Sequence, residues 1–98
     1  MLDQLGTWYA AQCDGEWEHE YGVTLGTQEH GGWHLRVDLV GTDLAGDELP
    51  RDLVARGEQD WVEAWSDGFT FDAMGGPGNL GELLDAFSRF ADSRVAPG

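Results

Sequence analysis

From Tyr21 to Phe71 the apolar residues of this chain fall into short runs of period two, and no helical stripe separates one run from the next. Period two is the spacing of a strand that buries one face. Parallel strands need a crossover of a dozen or more residues, usually a helix, so strands joined by short turns are expected to pair antiparallel. Tyr21, Val23 and Leu25 form the first run, and Trp33, Leu35, Val37 and Leu39 the second. Between them Gln28-Glu29-His30-Gly31-Gly32 is short and glycine-ended, as a hairpin loop would be. Gly41 to Pro50 reads as an acidic loop, and Leu53-Val54-Ala55-Arg56 as a third, weaker strand closed by the polar turn Gly57 to Asp60. Trp61 to Trp65 and Phe69 to Phe71 flank Ser66-Asp67-Gly68, an Asp-Gly hairpin signal that adds two more strands.

Helical spacing is confined to the two ends. Leu2, Leu5, Trp8 and Tyr9 recur at three and four residues and predict a short helix, stopped where Asp14-Gly15 permits a left-handed exit. Asn79 followed three residues later by Glu82 has the spacing of a capping box, and Leu80, Leu83, Leu84, Phe87 and Phe90 make a helical stripe. The expected fold is α+β: an antiparallel sheet of about five strands, arranged as a meander, with the N-terminal and C-terminal helices packed on one face. The fourth strand leaves a choice, because Val62 and Ala64 point one way and Trp61, Glu63 and Trp65 the other. Aromatics dominate burial in small cores, which favours Trp61 and Trp65 toward the helices. The alternative leaves both on the open face as a candidate contact surface.

The chain has 98 residues, five Trp and 41% apolar content, enough for one domain over residues 1–98 with a core that needs no staple. It carries nineteen acidic residues against five basic ones, all arginine, for a net charge of -14. Proteins that grip nucleic acid or an anionic membrane need clustered bases, so direct binding of either is excluded, and a basic protein, a cation or a small neutral substrate is the favoured partner. Residues 1–35 hold six acids and no base, residues 36–72 hold ten acids and three arginines, and residues 73–98 hold three acids and two arginines. The acidity therefore belongs to the exit of the first helix and to the sheet, and the C-terminal helix is expected to be scaffold. Cys13 is the only cysteine, which rules out an internal disulfide; Met1 to Leu5 lack the positive charge and apolar run of a secretory signal, so no leader is expected, and no run of about eighteen apolar residues occurs. A reducing cytoplasm is the expected location.

Three motifs invite chemistry. Gly76-Pro77-Gly78-Asn79-Leu80-Gly81 spells G-x-G-x-x-G between a strand and a helix, but only seventeen residues follow it, too few for the rest of a dinucleotide unit, and Pro77 removes an amide that a phosphate would use. A plain strand-to-helix turn is expected. Cys13 with His19, His30 and His34 could supply a thiol nucleophile with an imidazole base, or a metal site, yet none has signature spacing, and Cys13 falls at a helix C-terminus, where the dipole raises a thiol pKa. The simpler expectation for Cys13 is a small buried thiol. The densest feature is Cys13-Asp14-Gly15-Glu16-Trp17-Glu18-His19-Glu20-Tyr21-Gly22, with four carboxylates and no base. If extended, it sets Glu16, Glu18 and Glu20 on one side and Trp17, His19 and Tyr21 on the other. It could be a solvated acidic edge, a protein-binding surface, or a carboxylate pair for hydrolysis.

At this segment the chain resembles a known family. Trp8-Tyr9, Gln12-Cys13-Asp14-Gly15, Trp17-Glu18-His19, Tyr21-Gly22, Gly32-Trp33, Asp38-Leu39, Thr42, Leu44, Trp61 and Gly75-Gly76-Pro77 with Asn79-Leu80 are similar to the immunity protein 53 family of bacterial toxin systems. The likeness runs over nearly the whole chain, with Glu29-His30-Gly31-Gly32 departing from an Asn-Pro-Gly turn. The resemblance implies a small cytoplasmic antidote, encoded beside a polymorphic toxin, that binds and blocks the toxin domain without catalysing a reaction or using a cofactor. The motif positions do not by themselves separate contact from folding residues; from side-chain chemistry, the expected partner-binding residues are Asp14, Glu16, Glu18, His19, Glu20 and Asp38, with Trp61 and Trp65 as a possible aromatic contact and Trp17, Tyr21 and Trp33 mainly structural. A toxin that cuts nucleic acid presents a basic cleft, toward which a chain at -14 would be steered. The competing readings are a small hydrolase or transferase using Cys13 and His19, or carboxylates, and a metal-binding module.

Overall fold

The computed structural model describes residues 2–29 and 31–95, with side chains from Gln4 to Asp92; His30, one of the candidate ligands, lies outside them. The elements are α1 (Leu2–Gln12), a single helical turn α2 (Trp17–Glu20), β1 (Val23–Gln28), β2 (Gly32–Asp38), β3 (Glu48–Ala55), β4 (Trp61–Asp67), β5 (Thr70–Gly75) and α3 (Leu80–Val95). All four strand pairings are antiparallel; short turns join three of the pairs, and β2 meets β5 without one. The α+β class and the two terminal helices agree with the sequence expectation.

The strand order does not. A meander would pair sequence neighbours throughout, whereas the sheet runs β1-β2-β5-β4-β3. β5 carries Phe71, Asp72 and Ala73, all buried, and takes the centre; β3 is exposed along nearly its whole length and goes to the edge. Residues 39–47 make the crossing. They pass the β4–β5 turn, where the Leu39 amide donates to the Phe69 carbonyl at 2.8 Å and the Gly46 amide to that of Gly68 at 2.8 Å. Leu39 and Leu44 are fully buried and close that end of the core. What looks like an acidic loop is thus anchored by two leucines.

β3 also begins at Glu48, five residues before the sequence expectation. Pro50 cannot donate to a ladder, but an edge strand tolerates it. The register shifts between Leu49, opposite Ser66, and Asp52, opposite Ala64, so Pro50 and Arg51 together face Trp65 as a bulge.

The helices cover one face. Leu35 and Val37 of β2, Phe71 and Ala73 of β5, and Val62 and Ala64 of β4 meet Leu83, Leu84, Phe87 and Phe90 of α3 and Leu5 of α1 in one cluster. Phe87 is its hub, with ring centroids 5.4 Å from Phe71 and 5.2 Å from Trp8, both edge-on. The close approach of α3 decides the fourth strand against the sequence expectation: Trp61 and Trp65 share the side of the sheet away from the helices. Beneath α3 the strands present Ala64, Ala73 and Gly75, and even a Cβ on Gly75 would stand 3.1 Å from Leu83 Cδ2. Two indoles do not fit there.

The glycine-rich segment is a strand-to-helix turn. A Cβ on Gly76 would collide with the Gln59 carbonyl, so only glycine lets the β3–β4 turn lie against it. The capping-box spacing of Asn79 and Glu82 is real but closes differently from the expectation. Asn79 Nδ2 donates to Glu82 Oε1 at 2.7 Å and to Asp60 Oδ1 at 2.9 Å, while the Asn79 amide is given to the Gly76 carbonyl. Arg56 joins the group with 2.7 and 2.6 Å contacts to Asp60 and Glu82, tying the β3–β4 turn to the start of α3.

Candidate functional site

The acidic segment after α1 is not extended, which corrects the expected separation of its two sides. α1 ends at Gln12, Gly15 takes a φ of +95°, and the chain re-enters a helical turn at Trp17. Asp14 Oδ1 accepts the amides of Glu16 and Trp17, each at 3.0 Å. The Glu18 carboxylate reaches back to the amides of Asp14 at 3.1 Å and Gly15 at 2.9 Å. These reciprocal bonds satisfy donors that a helix start leaves open. They also hold the Asp14 carboxyl below its ordinary pKa, the Trp17 amide contributing most and the Glu16 amide next.

Trp17 pins the turn to the body of the protein. It is buried, its ring Nε1 donates to the Val40 carbonyl at 2.7 Å, and it meets the rings of Trp8, Tyr9 and Tyr21 at 6.0 to 6.2 Å. Gly41, at a φ of +78°, leaves space for that indole: a Cβ there would lie 3.3 Å from Trp17 Cδ1. Asp38 Oδ2 accepts the Gly22 amide at 2.9 Å and fixes the entry to β1.

The six expected contact residues therefore divide. Asp14, Glu18 and Asp38 hold backbone amides and position the segment. Glu16, His19 and Glu20 stand exposed on one helical turn, beside a shallow cleft of about 490 Å³ whose wall is completed by Trp17 and Tyr21. Glu16 stands at the N-cap of the turn and Glu20 ends it, so exposed carboxylates lie at both of its ends. The Glu20 charge raises the pKa of the Tyr21 hydroxyl. What this arrangement offers is a fixed negative ridge with an aromatic base.

The aromatic pair lies elsewhere, on the open face of the sheet. Arg51, from the β3 bulge, places its guanidinium 3.9 Å from the Trp65 ring centroid and pairs with Glu63 at 3.3 Å. Beside it Asp72, 3% exposed, takes His34 Nε2 at 2.9 Å and Arg36 Nε at 3.1 Å on one oxygen, and the Thr70 hydroxyl at 3.1 Å on the other. Sequence reasoning overlooked this network. His34 and Arg36 alternate correctly for one face of β2, but the pairing of β2 with β5 that brings Asp72 between them is not a neighbour pairing.

Cys13 is exposed, not the buried thiol expected, and its Sγ donates to the Tyr9 carbonyl at 3.4 Å instead of meeting an imidazole. Among the described residues no group of three or more His, Cys, Asp or Glu side chains is placed to hold a metal ion. None of their helices is long and apolar enough to cross a membrane.

A comparison with protein-family models matches residues 2–92 to the family described as Immunity protein 53. No curated protein and no solved structure matches the chain.

Proposed function

Because the chain belongs to the immunity protein 53 family, we propose that it is the antidote to a bacterial polymorphic toxin encoded beside it, and that it acts in the cytoplasm by binding the toxin domain without turnover. The observation that carries the contact assignment is the turn α2. Glu16, His19 and Glu20 are presented outward on a base held by Trp17, Asp14, Glu18 and Asp38, so the ridge meets a partner already ordered and little entropy is lost on binding. A basic cleft is its natural complement. At a net charge of -14 the chain would be drawn toward a nuclease whose cleft receives phosphates, and the ridge would occupy that cleft or stand beside it.

A second contact reading is the open sheet face, favoured by Arg51 stacked on Trp65 with Trp61 nearby, since Trp and Arg carry much of the energy of known interfaces.

Co-expression with the neighbouring gene's product tests the antidote reading. A stable complex and restored growth are expected; failure to bind any adjacent product refutes it. Within a working complex, reversal of Glu16 and Glu20 to Lys should abolish protection with melting unchanged. Full protection by that double variant moves the contact to Trp61 and Trp65. Reversal of Glu18 is unsuitable for this purpose because it would also release two backbone amides.

A further inference from the structure

The sheet is five strands wide and carries two helices on its covered face. Strands lie about 4.8 Å apart and packed helices about 10 Å apart, so two helices cover roughly four strands. α3 lies over β5 and β4, and α1 packs beside α3 with Trp8 against Trp17, toward the end of β2. β3 is left without a helix. Above it runs a groove of about 730 Å³, floored by Leu49 and Val54 of β3 and Val62 and Ala64 of β4, and walled by Ala86 and Phe90 of α3. Val54 pairs with Val62 and points to the helix side, yet it is 45% exposed where Val62 is buried. The rim of the groove at and just before β3 carries Asp47, Glu48 and Asp52; the α3 rim carries Arg89; at one end Arg56 and Glu82 are paired to each other.

We propose that this groove seats an amphipathic α-helix of the cognate toxin, two to three turns long, with an apolar stripe entering between α3 and β3 and Lys or Arg along the flank that meets Asp52. The inference rests on the antidote reading and adds a second contact to it. Such a helix completes the layer at the spacing of α1 and α3, and the wall from Glu82 to Phe90 is about 12 Å long, which sets the number of turns. The acidic rim selects the charge of the flank. A second copy of this chain brings another -14 against that rim and is disfavoured. A strand added to the edge of β3 would leave the floor open, and the bulge at Pro50 and Arg51 interrupts the ladder it would need.

Binding kinetics of the full chain with the toxin domain of the adjacent gene test this. Val54→Arg alters the floor, Asp52→Lys alters the rim, and Leu53→Arg, one residue away on the opposite face, is the control. The expected result is dissociation faster by about tenfold or more for Val54→Arg, slower association for Asp52→Lys, and wild-type kinetics for Leu53→Arg. If Val54→Arg fails to fold, the Asp52→Lys and Leu53→Arg pair still decides, since both sites are solvent-exposed. Wild-type kinetics for the groove variants overturn the inference. So does weakening by Leu53→Arg alone, which points to the open face, or equal weakening by Val54→Arg and Leu53→Arg, which points to edge pairing. A wild-type chain that binds no adjacent toxin overturns the antidote reading and this inference with it, whereas tight wild-type binding insensitive to Val54→Arg overturns the groove alone.

Discussion

Glu18 and Glu16 have the same side chain two positions apart and do different work. Both oxygens of Glu18 accept backbone amides, while Glu16 stands in solvent. Glu18→Gln should therefore lower the melting temperature by a few degrees, through loss of charge-assisted bonds at a turn start, and Glu16→Gln should leave it unchanged. Thermal denaturation of the two variants side by side checks this. Asp60 makes a comparable prediction in pH. The Arg56 guanidinium, and after it the Asn79 amide, hold its carboxyl down to about 2. A depressed carboxylate stabilises the fold fully above its unfolded pKa and loses that contribution as pH falls through the folded one. The stability gap between wild type and Asp60→Asn, measured by denaturant titration, should be constant above about pH 5 and close between about pH 4 and 2. At this scale the sequence was informative about chemistry and poor about role: the density of carboxylates from Asp14 to Glu20 was plain, but which of them hold amides depended on the chain turning at Gly15.

Among the elements, α3 closes the core against β5 and β4. Phe87 is fully buried between Phe71 and Trp8, so Phe87→Ala should cost about 3–5 kcal/mol, read from the shift of the denaturation midpoint. Gly76→Ala should be as damaging for another reason, because its Cβ would enter the Gln59 carbonyl and the β3–β4 turn would have to move. Several elements were legible in their own period: the alternation in β2, the Asp-Gly turn between β4 and β5, and the stripe from Leu83 to Phe90. Asp67 at that turn accepts the amides of Phe69 and Thr70, the local bonding that makes Asp-Gly a turn signal. β3 was only half legible, since an edge strand buries little and its apolar pattern is correspondingly faint. The side chosen by Trp61 and Trp65 was not legible at all. Period two says that they share a face, and only the tight approach of α3 says which.

Over the whole molecule the proposed role of the net charge of -14 is on association rates. Association with a basic toxin domain should fall by about 10-fold to 1000-fold from low to high salt, with dissociation little changed, as stopped-flow mixing would measure. An association rate indifferent to salt would remove the steering mechanism. The same charge is distributed unevenly: the ridge at α2 is bare carboxylate, whereas on the open face Arg36 and Arg51 answer Asp72 and Glu63. From the sequence by itself came the α+β class, the antiparallel sense, the two terminal helices and the family, because periodicity, turn residues and motif spacing are local properties that a chain carries before it folds. The order β1-β2-β5-β4-β3, the buried Asp72 network, the fate of the indoles and the uncovered groove over β3 were decided only by the tertiary structure. Each depends on which strands become neighbours, and that follows from the competition of whole elements for one core.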